Sequence, residues 1–176
     1  MKPNIETRIE TKRLLLRRPH REDADRIASM LNDFEISKYL TPVPHPYTLA
    51  DAKAWLRRPI ASKAPLLVFV IEDATHGVVG NISLEEELGY WIGRPYWGNG
   101  YCSEAVRALL DFHFSKTEAM IRSGVHIDNP RSMAIQRKFG FETIGREREY
   151  SCARAEKVER FVTRLCKESY LAALNV

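Results

Sequence analysis

Two glycines one residue apart, in Gly98-Asn99-Gly100-Tyr101, stand between an apolar run, Leu88-Gly89-Tyr90-Trp91-Ile92, and a helix that opens Ser103-Glu104-Ala105. Glycines at alternate positions let the chain turn sharply and bring its amides against a ligand that a Cβ would hold away. The helix behind them adds free N–H groups and a partial positive charge at its first turn. Strand, glycine turn and helix start make a cradle for an anion, a phosphate above all. The loop lacks the Lys-Ser/Thr of a P-loop and the third glycine of a dinucleotide fingerprint, which argues against the common nucleotide binders.

The elements that must carry this loop can be read from periodicity. Leu14-Leu15-Leu16 between arginines reads as a short strand, and Asp23 as the cap of a helix whose Ile27, Met30, Leu31 and Phe34 fall at i, i+3, i+4 and i+7. The alternating prolines of Thr41-Pro42-Val43-Pro44-His45-Pro46 force a loop, and Thr48 with Asp51 resembles a capping box for a helix over 49–56. The continuous apolar run 66–71 has the pattern of a strand covered on both faces, at the centre of a sheet. His76-Gly77 supplies a turn, and strands over 78–84 and 88–92 are joined closely enough for antiparallel hairpins.

Beyond the glycine loop, Val106, Leu109, Leu110 and His113 repeat at helical spacing, with His113 on the apolar stripe, and 121–127 reads as a strand. Strand, helix, strand makes a parallel crossover. Asn129 caps a short helix over 130–139 with Pro130 at its first position, and Gly140 falls where a left-handed C-terminal residue is wanted. The last strands are 141–144 and 158–166, joined by the charged segment 146–157. The pattern predicts one α/β (α+β) domain over residues 1–176.

Composition narrows the function classes. At 176 residues, 44% apolar and 28% charged, the chain has the profile of a soluble globular domain, and no apolar run approaches the roughly 20 residues that span a bilayer. Met1-Lys2-Pro3-Asn4-Ile5-Glu6 has no apolar h-region, so the cytoplasm is the expected compartment. Cys102, Cys152 and Cys166 show neither CxxC nor Cys/His spacing, which argues for reduced thiols and no metal. A net charge of +4, scattered except for Arg13, Arg17, Arg18 and Arg21, lacks the dense stripe of a nucleic-acid binder.

With these elements in order, and with Asn129 followed by Lys138-Phe139-Gly140-Phe141, the chain resembles the GCN5-related N-acetyltransferases. Within them it is most similar to the branch of ribosomal-protein N-terminal acetyltransferases, through Thr11-Lys12-Arg13-Leu14-Leu15-Leu16-Arg17, Glu87-Leu88-Gly89-Tyr90-Trp91-Ile92 and Tyr96-Trp97-Gly98-Asn99-Gly100-Tyr101. The resemblance spans nearly the whole length. It implies acetyl-CoA as cosubstrate, no metal, an amine acceptor that is a protein N-terminus or a small molecule, and a monomer or homodimer. Trp97 takes the first position of the Gln/Arg-x-x-Gly-x-Gly/Ala pattern and Cys102 the last small one, so the amides from Gly98 through Asn99, Gly100, Tyr101 and Cys102 to Ser103 become the pyrophosphate ligands. The resemblance further implies a mixed, mostly antiparallel sheet, helices on both faces, and a parallel central pair, 88–92 and 121–127, that splays to admit the pantetheine arm. The thioester then lies near Ile92 and Gly93, where a main-chain N–H polarises its carbonyl.

Asn129 falls where the family binds the cofactor arm, a role that overlaps with capping. Ser132 is placed either to donate to the departing thiolate or to pack against the next strand. Gln136 stands where many members carry a tyrosine general acid, and a glutamine cannot protonate. Alternation puts Glu87, Gly89 and Trp91 on one strand face, and Glu87 there serves either as base for the acceptor ammonium, directly or through water, or as one of three solvated acids with Glu85 and Glu86. His126 is either a second titratable candidate facing the gap, ahead of Asp128 and Tyr150, or a packed, satisfied residue of its strand. Tyr39, His45, Tyr47 and Trp55 are placed either as an acceptor wall or as core. The alternative from another class is an inactive acyl-CoA-binding or regulatory module, which Gln136 permits.

Overall fold

Alternation along the strands sorts the apolar side chains into two sets, one for each face of a single sheet. The computed structural model describes residues 7–61 and 67–175; the segment 1–6 and Leu66, the expected first residue of the third strand, lie outside them. Its strands are β1 (Ile9–Glu10), β2 (Leu14–Arg17), β3 (Leu67–Asp73), β4 (Gly77–Leu84), β5 (Leu88–Ile92), β6 (Ile121–His126), β7 (Glu142–Ser151) and β8 (Glu156–Leu165). Its helices are α1 (Ala24–Leu31), α2 (Phe34–Ser37), α3 (Leu49–Ala61), α4 (Tyr101–Lys116), α5 (Pro130–Lys138) and α6 (Lys167–Leu174). The sheet runs β1-β2-β3-β4-β5-β6-β8-β7, antiparallel throughout except between β5 and β6.

Leu16, Phe69, Ile71, Ile82 and Leu88 pack with Leu109, Leu110 and Phe114 of α4 and Tyr170 of α6. On the opposite face Val70 and Val78 meet Ile27 and Leu31 of α1 and Ala52 and Leu56 of α3. A strand that feeds both cores must be apolar at every position, which is why β3 shows no alternation. The mixed, mostly antiparallel sheet with its parallel central pair and helices on both faces is the architecture the sequence predicts.

Several elements differ in detail. β3 is interior but third in the order, so the sheet's centre falls on β4 and β5. The first helix stops at Leu31, and Phe34 opens the one-turn α2 instead of continuing the stripe. Asp23 does not cap α1 through its side chain; its oxygens lie 2.8 and 2.9 Å from the Arg17 guanidinium and accept from the His20 N–H at 2.7 Å. Burial alone would raise the pKa of Asp23, but these partners hold it below the usual carboxylate range. The second helix keeps its Thr48–Asp51 box and extends to Ala61.

His113 is half-buried with Nε2 2.8 Å from the Ala119 carbonyl, while Phe114 fills the core. The charged segment 146–157 is mostly strand and only 152–155 connect: its first half belongs to β7 and its last two residues open β8, with Glu147 opposite Arg160 and Arg148 opposite Glu159. Opposite charges facing across an edge hairpin stabilise it alongside the buried Val158 and Val162 of β8. β1, α2 and α6 have no counterpart in the sequence reading; α6 is anchored by Tyr170, which stacks on Phe114 and donates to Asp111 Oδ1 at 2.6 Å.

Candidate active site

Gly98 and Gly100 adopt φ of +78° and +77°, a left-handed conformation that side chains with a Cβ rarely take. Gly100 is the N-cap of α4 and supplies no side chain, so the first-turn amides of Tyr101, Cys102 and Ser103 are without a side-chain cap. Tyr101 contributes only its backbone there, because its ring turns inward and its hydroxyl donates to Asp73 Oδ2 at 3.1 Å. Burial pushes the Cys102 thiol up to about 12, which leaves it a packed neutral side chain and not a nucleophile. Asn99 fixes the turn by donating to the Tyr96 carbonyl at 3.1 Å, and Trp97 Nε1 ties the loop to β5 by donating to the Ile92 carbonyl at 2.7 Å.

Two residues that support this loop were not singled out from the sequence. Arg13 reaches across from the β1–β2 connection to the Asn99 carbonyl at 2.8 Å, and its Nε donates to Glu104 Oε2 at 2.7 Å. Glu104 also accepts from Thr11 Oγ1 at 2.6 Å and from the Arg13 N–H at 3.0 Å. The N-terminal strands are thereby fastened to the first turn of α4. Lys138, donating to Ser103 Oγ at 2.7 Å, fastens the far end of α5 to the same turn.

β5 and β6 meet at one register pair, Leu88 with Ser123. The Gly93 N–H donates to the Val79 carbonyl at 2.8 Å, so alternation along β5 directs the amides of Gly89 and Trp91 to β4 and those of Tyr90 and Ile92 into the gap beside β6. The Gly93 N–H is therefore engaged by β4, whereas the Ile92 N–H faces the gap. A widening edge with free backbone groups fits a ligand whose own amides can pair like an added strand.

Across the gap, Asn129 accepts from the Ser132 N–H at 3.1 Å and caps α5. Ser132 Oγ lies 3.0 Å from the Tyr90 hydroxyl. Gln136 is 1% exposed and bridges two strands: its Nε2 donates to Ser123 Oγ and its Oε1 accepts from Thr163 Oγ1, both at 2.7 Å. It is a structural clamp between β6 and β8.

The opposite side is built from charge. Arg160 of β8 grips Glu87 with both terminal nitrogens, at 2.8 and 3.1 Å, and reaches Glu147 at 2.6 Å and Glu149 at 3.2 Å. Burial opposes the charge on Arg160, but the carboxylates prevail and raise its pKa. Gly124 makes room for it, since a Cβ there would lie 2.2 Å from Arg160 Nη1. Arg154 pairs with both oxygens of Asp128, at 2.8 and 3.1 Å. His126 is buried with Nε2 3.2 Å from Thr41 Oγ1, and burial, with Arg154 next, lowers its pKa. Among the described residues its Nδ1 has no hydrogen-bond partner. Tyr150 is exposed and takes no part.

One cavity of about 1280 Å³ joins these parts. Its wall includes Trp97, Gly98, Gly100, Tyr101, Cys102, Ser103, Asn129 and Ser132 on one side of the sheet, Tyr90 and Ile92 at the gap, and Tyr39, Tyr47, Trp55, Glu87, His126 and Arg160 on the other. His45 lies outside that wall, its ring edge-on to Phe34. Among the described residues no group of three or more His, Cys, Asp or Glu is placed to hold a metal ion, and no helix is long and apolar enough to cross a membrane.

Comparison with known proteins bears on this geometry. A family model described as an acetyltransferase (GNAT) domain matches residues 13–142. The uncharacterized N-acetyltransferase p20 of Bacillus licheniformis is 27% identical over 173 residues, covering 91% of this chain and 96% of that one. The putative ribosomal N-acetyltransferase YdaF of Bacillus subtilis is 26% identical over 144 residues, covering 73% and 77%. A spermidine N-acetyltransferase from Vibrio cholerae, solved in complex with CoA and spermine, shares the fold with a TM-score of 0.76 at 20% identity, over 92% of this chain and 99% of that one.

Proposed function

The chain belongs to the GNAT acetyltransferase family, and from that premise we propose that it transfers the acetyl group of acetyl-CoA to a primary amine by direct attack in a ternary complex. The observation that carries this reading is the continuous cavity that passes from the uncapped first turn of α4, through the β5–β6 gap, to the charged wall beyond. The amides from Gly98 to Ser103 would take the pyrophosphate, and the gap edge of β5 with Asn129 would take the pantetheine arm. The Ile92 N–H would polarise the thioester carbonyl as negative charge grows on its oxygen.

The acceptor would arrive past Tyr39, Tyr47 and Trp55. Three carboxylates gathered on the single guanidinium of Arg160 favour a cationic amine there, and the names of the two relatives, a putative ribosomal N-acetyltransferase and a spermidine N-acetyltransferase, fit the two acceptor classes considered, a protein amine and a small polyamine. The amine is protonated near neutral pH and must lose a proton before it attacks. Glu87 would receive it through water, because Arg160 engages both of its oxygens while leaving lone pairs free. Ser132 would hydrogen-bond the departing sulfur. The same reading places the protein in the cytoplasm as a monomer or homodimer with no metal and no nucleic-acid partner.

Thiol release from acetyl-CoA over a panel of N-terminal peptides, amino acids and polyamines tests the reading. Turnover on at least one class is expected, with Glu87→Gln and Ser132→Ala each lowering kcat roughly 10- to 100-fold while CoA still binds. Tight CoA binding with no turnover on any acceptor would instead identify a binding module.

A further inference from the structure

Ser132 has a polar partner that the reaction outlined above does not use. The Tyr90 hydroxyl reaches it from β5, 3.0 Å from its Oγ and 3.4 Å from its carbonyl oxygen. The phenol has one hydrogen for these two oxygens, and Oγ, at 3.0 Å, is the nearer acceptor. Gln136, one turn along α5, is a further polar neighbour of the phenol and cannot rotate away, being clamped to Ser123 and Thr163. Cys102 of α4 is the titratable neighbour. Burial raises the pKa of Tyr90 above the usual phenol value and pushes Cys102 up to about 12, so both keep their protons near neutral pH.

We propose that Tyr90 is a positioning residue for the leaving group: its hydroxyl donates to Ser132 Oγ, which turns the Ser132 hydrogen toward the sulfur of the departing CoA. The inference rests on the proposed transfer and on the place of Ser132 in it. As the amine nitrogen bonds to the acetyl carbon, the carbon–sulfur bond breaks and its electron pair goes to sulfur. The amine proton goes to Glu87 or water. Tyr90 and Ser132 transfer no proton; they supply a two-link chain of hydrogen bonds that ends on the thiolate and strengthens as negative charge appears there.

The thiol of bound CoA reads this directly. Wild type, Tyr90→Phe, Ser132→Ala and the double variant are each saturated with CoA, and the ultraviolet absorbance of the thiolate is followed against pH, with desulfo-CoA complexes as blanks. Tyr90→Phe should raise the bound thiol's pKa by roughly half to one unit, the worth of one hydrogen bond, and lower kcat about 3- to 10-fold with the amine KM unchanged. The double variant should titrate like Ser132→Ala alone. Fluorotyrosine at 90, which keeps the ring and sharpens the donor, should shift the thiol pKa downward and guards against a Phe variant that fails to fold. An unmoved thiol titration in Tyr90→Phe, or a Tyr90 effect that persists in full without the Ser132 hydroxyl, overturns the inference while wild-type turnover leaves the transfer reading standing. A wild type that binds CoA and acetylates no amine overturns both.

Discussion

The two ends of the cavity are made of different material. At the proposed donor end the groups offered to a ligand are backbone: amides of a helix start, two left-handed glycines and the free edge of β5. At the proposed acceptor end they are side chains of three strands and a turn, with Glu87 from the β4–β5 turn, His126 from β6, Glu147 and Glu149 from β7 and Arg160 from β8. Backbone recognition needs only the right turn in the right place. Side-chain recognition needs every strand in register, and one exchange of charge rewrites it. On the proposed reading the donor end is therefore the rigid part, and the acceptor end is where selectivity would reside.

The sharpest way to separate the two is Arg160→Met. Glu87, Glu147 and Glu149 would lose their shared cation and repel one another. Removing one partner of a buried pair costs about 3–5 kcal/mol, and because these carboxylates are 30%, 37% and 35% exposed, a loss nearer 2–3 kcal/mol is expected by urea unfolding at about pH 7. CoA affinity should change less than about twofold, since the sites share no partner. A large CoA defect would show that the two ends are one coupled unit.

The converse variants act on the glycine turn. Gly98 and Gly100 face no backbone within reach of an added Cβ, so Gly98→Ala and Gly100→Ala carry the conformational cost of a left-handed Ala, about 1–2 kcal/mol. Calorimetric titration should show CoA binding weakened roughly 10-fold. Gly98→Asn should be milder, because asparagine tolerates that region. The amine KM should not move; if it does, the donor end is shaping the acceptor end.

The same contrast explains what the sequence revealed. The spacing of Gly98, Gly100 and Asn129 marks turns and caps whose causes are local, so the loop, α4 and α5 could be read directly. Arg160 and Glu87 are 73 positions apart and meet only through the register of β6, β7 and β8, which no local pattern records. The charged stretch 146–157 looked like a connector because its stabilising partners lie across the hairpin. The alternation of β5 correctly put Tyr90 opposite Glu87, but not against Ser132. That the Ile92 N–H faces the gap while the Gly93 N–H bonds to β4 likewise follows only once the β4–β5 register is known. Phe34 fitted the helical period and still left the helix, since Asp33 caps a new turn there.

The smallest expected effect comes from His126, and it tests how tightly the acceptor end is closed. Burial, Arg154 and then Arg160 hold its pKa below the ordinary histidine value, against the opposing pull of Asp128. A group whose folded pKa is depressed adds stability that is complete above its unfolded pKa, about 6.5, and lost as pH falls through the folded value. His126→Phe should therefore flatten the acid side of the stability profile below about pH 6.5, where one proton can contribute a slope of at most about 1.4 kcal/mol per pH unit. Urea unfolding across that range measures it. If the slope vanishes in the variant and amine turnover at higher pH is retained, His126 is a wall held neutral by its surroundings, and the unpaired Nδ1 is a cost of packing. If turnover collapses as well, that nitrogen is exposed when substrate enters, and the acceptor end opens in a way the donor end, fixed by Arg13, Glu104 and Lys138, does not.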